Sequence, residues 1–462
     1  MCKVRTLSIA ALLAVVLPAL TIPVNAQTLS VLYNFGVKTS DPKKPITPGI
    51  LSQGRDDNLY GSTFGGGTKG LGTVFRITPK GTLTVLYNFD QVHGAHGFGL
   101  AIAADGHFYG TASAGGSLGH GALFRIGLSG DLTEIHNFTG HRGGATPYAA
   151  PIQGTEGTDG SFYGATYYGG QGMGTVYKVT ASGNLTTLHS FDSAEGGNPE
   201  SPLIQSADGN FYGTTYMGGV NQLGGVYKIT PSGEFSELHS FDGNDGAFPN
   251  NLVLGNDGNF YGTTYDGGAG SHGVVFKITP AGVFAVLYAF NGKSDGGCTY
   301  AGLVQATDGN FYGATLYGGT NRMGTLYRIS PEGGFTVLTN LDATTGSDAE
   351  VTMVQHTDGM LYGDTASAGA YGHGTFYGLQ VGLEPFVSLL SAVGEVGRPV
   401  GILGQAFKGT KAVSFNGTPA PYKVISDNYL TTTVPNGATT GFVTVTTSQR
   451  KLKSNQKFRV LR

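Results

Sequence analysis

Asp364 follows a Tyr-Gly pair at a place where six similar stretches of the chain put Ser62, Thr111, Ala165, Thr214, Thr263 and Ala314. An acid in a slot otherwise held by small residues is a candidate for acid–base chemistry. Glu156, in an insertion that only one of those stretches carries, is a second candidate. Glycoside cleavage would need two such carboxyls facing one bond, and nothing in the spacing pairs these two. Phe64, Tyr168, Tyr216, Tyr265 and Tyr317 each stand at or within two residues of a loop Gly-Gly pair. A ring of aromatics with polar neighbours could stack on sugars; the same residues could instead cap packing at a rim. His93 and His96 share one loop, but two ligands without a third do not make a metal site. No nucleophile elbow, zinc-protease motif or phosphate loop is present, so the sequence implies no cofactor or resident metal.

These residues sit in a repeat. A Tyr-Gly pair recurs at Tyr60, Tyr109, Tyr163, Tyr212, Tyr261, Tyr312 and Tyr362, at spacings of 49, 54, 49, 49, 51 and 50 residues. Each unit holds four strand-like pieces, as in SPLIQS, NFYGTTY, GVYKIT and EFSELHSF between Ser201 and Phe241. Asp-Gly and Pro-x-Gly supply the tight turns. Four short antiparallel strands per unit, repeated radially, predict an all-β fold, a seven-bladed β-propeller over residues 27–382. Phe211 and Tyr212 are adjacent and must face opposite ways, so both faces of the strand are expected to be buried between neighbours. The stretch Thr28 to Phe35 nearly duplicates Thr82 to Phe89, a fourth strand, while the last unit lacks its own. The N-terminal strand is therefore expected to complete the last blade and close the ring. The turn acids Asp105, Asp159, Asp208, Asp257, Asp308 and Asp358 suit backbone bonding. His136, His189 and His239 alternate with Tyr33, Tyr87 and Tyr288 at one repeat position, which favours packing.

The Asp-Gly-x-Phe-Tyr-Gly and Gly-x-Val-Tyr-Lys-Ile cores resemble the GloVer tandem-repeat family, exported bacterial proteins with variable C-terminal attachment modules. The resemblance covers about Thr28 to Val381 and implies no settled activity.

From Gly382 the pattern changes. Gly404-Gln405-Ala406-Phe407, Val413 to Gly417 and Val434 to Ala438 resemble the framework of an IPT/TIG domain, which implies an immunoglobulin-like sandwich over residues 383–462. Charge divides at the same place: ten Lys/Arg against three Asp/Glu after 382, and 15 against 27 over 27–382. The net acidity disfavours a nucleic-acid partner. Lys3 and Arg5, the apolar run Leu7 to Leu20 and Val24-Asn25-Ala26 read as a signal peptide (1–26) cleaved after Ala26, leaving a secreted or cell-surface protein with no later membrane span. Export would leave Cys298 as the sole cysteine, so no internal disulfide is expected. Residues present in every unit more often build a frame than perform one reaction. The expectation is a non-enzymatic recognition or scaffolding protein, with a glycan or cell-surface protein as partner. A polysaccharide-processing hydrolase or lyase and a ligand-free spacer remain the alternatives.

Overall fold

The computed structural model describes residues 27–45, 51–154 and 160–461. Residues 1–26, read from sequence as a signal peptide, Glu156 and Asp159 lie outside them. Strands dominate; the helical turns among the described residues are His141–Gly143 and Phe407–Gly409. No helix among them is long and apolar enough to cross a membrane.

Seven four-stranded antiparallel sheets carry the repeat. They are numbered by their Tyr-Gly pairs, from Tyr60 in sheet 1 to Tyr362 in sheet 7. Sheet 4 shows the pattern, with strands Ile204–Gln205, Phe211–Thr215, Gly225–Ile229 and Phe235–Ser240. All five residues of Phe211–Thr215 are buried. Phe211 packs with Tyr163 of sheet 3, and Tyr212 with Phe260 of sheet 5. That contact recurs. Tyr60 meets Phe108 at 4.2 Å between ring centroids, Tyr109 meets Phe162 at 3.9 Å, Tyr163 meets Phe211 at 4.1 Å and Tyr261 meets Phe311 at 4.1 Å. Each ring pair adds about 0.5–1.5 kcal/mol beyond the area it buries. Leu361 and Leu59 take the phenylalanine's place against Tyr312 and Tyr362. Gly213 lies opposite Tyr227, and a Cβ there would sit 2.6 Å from the Tyr227 hydroxyl. The glycine after each repeat tyrosine makes room for the third strand's ring.

Seven apolar clusters join successive sheets, and one of them joins sheet 7 to sheet 1 through Phe35, Leu59, Phe75, Tyr362 and Phe376. In sheet 7 the outer strand is Thr28–Asn34, antiparallel to Thr375–Gln380, with Leu29 opposite Leu379 and Asn34 opposite Thr375. The first and last repeat strands thus share one sheet. Glutamines tie neighbouring turns. Gln355 accepts from the Thr307 amide at 3.0 Å, and Gln53 accepts from the Thr357 amide at 3.1 Å, again linking sheet 7 to sheet 1.

The C-terminal unit is two sheets, one of four strands and one of five, over a core that includes Ile402, Phe407, Val413, Phe415, Leu430, Val445 and Phe458. The alternating burial along Gly441–Thr447 shows one face inward. This unit docks on the Asp-Gly turns. The Gln405 amide donates to Asp57 at 2.7 Å and to Thr357 at 3.0 Å, and the Arg55 guanidinium lies 4.7 Å from the Tyr429 ring centre. Arg459 donates to the Ala207 carbonyl of sheet 4 at 2.9 Å. The basic unit therefore reaches across the turn end of the acidic repeat region.

Candidate functional site

The turn end is occupied by structure. The hydroxyls of Tyr60, Tyr109, Tyr212, Tyr261, Tyr312 and Tyr362 each donate to the turn aspartate four residues earlier, at 2.7–3.1 Å. The same aspartates accept from backbone amides two residues on, as Asp208 does from Asn210 at 3.1 Å. Those acids are committed to holding the turns.

The opposite end is built from the connections that enter each sheet. Lys44, His96, Thr146, Asn198, Phe248, Cys298 and Asp348 all have φ between 53° and 59°. One such left-handed residue stands before the first strand of a sheet or, for His96 and Phe248, at that strand's second residue. For branched or bulky residues this backbone is costly, on the order of 1 kcal/mol each, and hydrogen bonds on both sides hold it. The Asn198 amide donates to Met173 of sheet 3 at 2.6 Å, and its carbonyl accepts from Tyr216 of its own sheet at 3.3 Å. Cys298 repeats this with His272 at 2.8 Å and Leu316 at 3.1 Å.

Two residues beyond these positions the repeat stops repeating: Phe98, Tyr148, Glu200, Asn250, Tyr300 and Glu350. Phe98, Tyr148 and Tyr300 meet residues at the ends of the second strands. Tyr148 packs on Phe98 at 4.9 Å and on Tyr167 at 5.0 Å, and Tyr300 packs on Tyr265 at 4.8 Å. The Tyr216 and Tyr300 hydroxyls are 3.3 Å apart. Burial raises the pKa of Tyr148, Tyr216 and Tyr300, and pushes Tyr167 up to about 12 with added repulsion from Glu200. Burial alone lifts Glu200 to about 7.

The five aromatics expected from sequence divide into two registers. Phe64, Tyr216 and Tyr265 stand at one repeat position, four residues after the repeat tyrosine, shared with Tyr167, Leu316 and Ala366. Tyr168 and Tyr317 stand one residue further on and are 50% and 51% exposed at the rim. Phe64 is covered by His96, stacked at 4.0 Å. Tyr148, Tyr167, Tyr300 and Glu200 are missing from the sequence expectation. A signal was present: the loops read GATPY, GGNPE, GAFPN, GGCTY and GSDAE, each a glycine, a left-handed third residue and a variable fifth.

Asp364 is 1% exposed, and its Oδ1 has no hydrogen-bond partner among the described residues. Burial, then repulsion from Glu350, drives its pKa well above the carboxylate range. The Thr214 and Thr263 hydroxyls at the equivalent positions donate to carbonyls of the next sheet, at 3.0 Å to Asn250 and 3.3 Å to Ala301. A protonated Asp364 carries a hydroxyl in the same slot, sealed from solvent. His93 and His96 go to different partners: His93 Nδ1 lies 2.9 Å from Asp90, and His96 Nδ1 lies 2.8 Å from the Phe64 carbonyl. No group of three His, Cys, Asp or Glu among the described residues could hold a metal ion. The His/Tyr position on the fourth strands does more than pack. His189 and His239 contact Glu195 and Asp245 at 3.0 and 2.8 Å, and Tyr33 and Tyr288 donate to Asp41 and Asp295 at 2.7 and 2.8 Å. Two outer clefts, of about 430 and 410 Å³, are lined by Val31, Asn34, Ala343, Thr344 and Ala370 and by Thr39, Ser40, Gly67 and Thr68, without titratable groups.

Solved structures similar to this chain include a streptogramin B lyase, at 14% identity over 77% of this chain and 98% of that one, TM-score 0.50. A catalytically inactive virginiamycin B lyase from Staphylococcus aureus with quinupristin matches at 14% over 77% and 99%, TM-score 0.52. A fungal alcohol oxidase in complex with copper matches at 16% over 93% and 100%, TM-score 0.52. At such identities the likeness is one of propeller-like, all-β fold alone. No curated protein matches the sequence significantly. The Gloeobacter/Verrucomicrobia repeat model matches residues 20–158, 144–306 and 284–410, and the chain belongs to that repeat family.

Proposed function

We propose that the seven sheets are the blades of a closed propeller sealed by Thr28–Asn34, carrying an immunoglobulin-like C-terminal domain of IPT/TIG type. The protein is exported after loss of residues 1–26. It serves in recognition or scaffolding at or outside the cell surface, without catalysing a reaction. A glycan or a surface protein binds at the end opposite the C-terminal domain.

The observation that supports this reading is the tyrosine group of Tyr148, Tyr167, Tyr216, Tyr265 and Tyr300, gathered from sheets 3 to 6. Non-repeating residues on the loops of a rigid frame are where binding groups collect. Aromatic faces stack on sugar rings and present hydroxyls for bonding. Hydrolysis would ask for a paired acid open to substrate, whereas Asp364 is sealed and Glu200 stands without a hydrogen-bonded acid. A glycan and protein array probed with the mature chain tests the reading. A ligand bound by the wild type and lost in Tyr300→Ala supports it; silence across the array at high protein concentration counts against it.

A further inference from the structure

The C-terminal unit holds ten Lys/Arg against three Asp/Glu. Its acids are engaged elsewhere than at its lysine side chains. Glu384 meets Arg450 at 3.9 Å, Glu395 meets Arg398 at 3.8 Å, and Asp427 accepts from the Lys408 amide at 3.0 Å. Among the described residues no acid forms an ion pair with Lys451, Lys453 or Lys457. The contacts with the acidic repeat region described above use Gln405, Tyr429 and Arg459 instead. Strand register puts the three lysines on one face. In the five-stranded sheet Lys451 stands opposite Thr446, Lys453 opposite Thr444 and Lys457 opposite Phe442. The next strand, Thr410–Phe415, sets Ala412 opposite Thr446 and Ser414 opposite Thr444. Residues paired across strands share a face. The alternate residues Val443, Val445, Leu452 and Phe458 fill the core, so these rows point outward, and all three lysines are exposed. Two contacts agree with the rows: the Ser414 and Thr444 hydroxyls are 2.7 Å apart, and Lys453 Nζ lies 3.7 Å from the Phe442 ring centre. Successive rows stand about 7 Å apart. The face is a ladder of three cations beside a band of hydroxyls.

A single exposed ion pair contributes little, so an isolated anion is not held by such a face. A polymer with an acid on each unit meets all three lysines at once and gains from the linkage between its charges. Sugar hydroxyls can bond to Ser414, Thr444 and Thr446. A lipid surface fits less well, because insertion needs apolar side chains. The exposed large apolar residues of this unit, Val396, Tyr422 and Ile425, belong to none of the three strands. Going beyond the tyrosine end, we propose that the outer face of the C-terminal five-stranded sheet binds an acidic polysaccharide, with Lys451, Lys453 and Lys457 pairing its carboxylates and Phe442 positioning the Lys453 ammonium.

The test is calorimetric titration of the mature chain with polygalacturonate and with its fully methyl-esterified, uncharged form. The expected result is binding of the acidic polymer alone, weakened about tenfold or more by raised salt. Replacing Lys451, Lys453 and Lys457 together by Gln should abolish binding, and replacing all three by Arg should keep it. Lys453→Gln alone should weaken binding severalfold, whereas Lys423→Gln, on the other sheet of the unit, should leave it unchanged. Melting curves of each variant establish that it is folded. Undiminished binding by the triple Gln variant, or equal binding of the esterified polymer, overturns the proposal. So does failure to bind polygalacturonate while vesicles of phosphatidylglycerol bind, which would assign the face to a membrane. A salt-sensitive dimer in sedimentation that the triple Gln variant lacks would assign it to a second copy of the chain and equally overturn the proposal. Tyr300→Ala is expected to bind polygalacturonate as the wild type does; loss of binding there would move the site to the tyrosine end and also overturn it.

Discussion

The hydroxyls of Tyr216 and Tyr300 lie 3.3 Å apart although 84 residues separate them in the chain. Tyr216 follows the second strand of sheet 4, and Tyr300 precedes the first strand of sheet 6. Phe248, at the start of the first strand of sheet 5, lies 5.2 Å from the Tyr216 ring. The contact joins non-neighbouring sheets at the proposed binding end. Removing one hydroxyl should cost the fold little, because both residues are partly open to water: Tyr300→Phe is expected to lower stability by less than about 1 kcal/mol in chemical denaturation. A loss of several kcal/mol would show that the pair holds the frame together.

A second expectation concerns hydroxyls that the frame does not use. The Tyr177, Tyr227, Tyr327 and Tyr377 hydroxyls are buried with no partner among the described residues, while sheets 1, 2 and 5 have Phe75, Phe124 and Phe276 at the same place. Tyr227→Phe should raise stability by about 1 kcal/mol, since an unsatisfied buried polar group is removed. A lowered melting temperature would point to water bound at that hydroxyl.

His356 is expected to make stability at the junction of sheets 7 and 1 depend on pH. It is fully buried, with Nε2 3.3 Å from Asp57 and Nδ1 3.1 Å from Asp358. The Asp358 amide also approaches Nδ1 at 3.3 Å, a contact that needs a lone pair there and yields to the ion pair when the ring is charged. Burial alone would lower the imidazolium pKa; bonds to Asp358 and Asp57 outweigh it and bring it up to about 9. A folded value above the unfolded 6.5 stabilises fully below about pH 6.5. That contribution is lost as pH rises towards 9. Wild type should therefore lose stability across this window relative to His356→Gln, measured by melting temperature at fixed ionic strength. Parallel curves for the two proteins would contradict the charged histidine.

Glu200 has the opposite sign. Its carboxyl is raised by burial from 4.5 to about 7, so the folded state holds a proton that the unfolded chain has released. Stability then falls as pH rises from about 4.5 to 7, and the penalty is complete above that. Glu200→Gln should stabilise the protein by about 1–2 kcal/mol at pH 8, below the full value of the shift because the group is partly solvated. It should change little at pH 4. Destabilisation at pH 8 would mean that the carboxylate has a partner.

Pairing of the terminal strand is open to a direct test. Removing residues 27–35 would expose the edge of Thr375–Gln380 and take Phe35 out of the cluster between sheets 7 and 1. The truncated chain should lose several kcal/mol or aggregate, and a peptide spanning residues 27–36 should restore its melting temperature. Unchanged stability without the peptide would argue against closure by this strand.

The frame was legible because its parts are side-chain patterns. Phe211, Tyr212 and Gly213 announce a strand buried on both faces, and the duplicate of Thr82 to Phe89 near the N-terminus anticipates its pairing with Thr375–Gln380. The binding end was less legible because its common feature is a backbone conformation. Asn198, Phe248 and Cys298 have unrelated side chains and share a positive φ. Without that register, Glu200 and Tyr300 read as loop residues, and Tyr168 and Tyr216 read as one set. Asp364 broke the pattern by residue type, yet burial favours its protonated form, whose hydroxyl resembles those of Thr214 and Thr263. The glutamine ties, such as Gln53 to Thr357, were hidden because each partner lies in a different repeat.

The central claim is that recognition occurs at the tyrosine end. The most direct measurement is the calorimetric affinity of an array-identified ligand for three variants: Tyr300→Ala at the centre of that end, Tyr317→Ala at its exposed rim, and Tyr60→Phe at the turn end. A tenfold or greater loss for Tyr300→Ala, with at most a few-fold change for the other two, is the predicted result. Wild-type affinity in Tyr300→Ala together with loss in Tyr60→Phe would place binding at the opposite end and contradict the account.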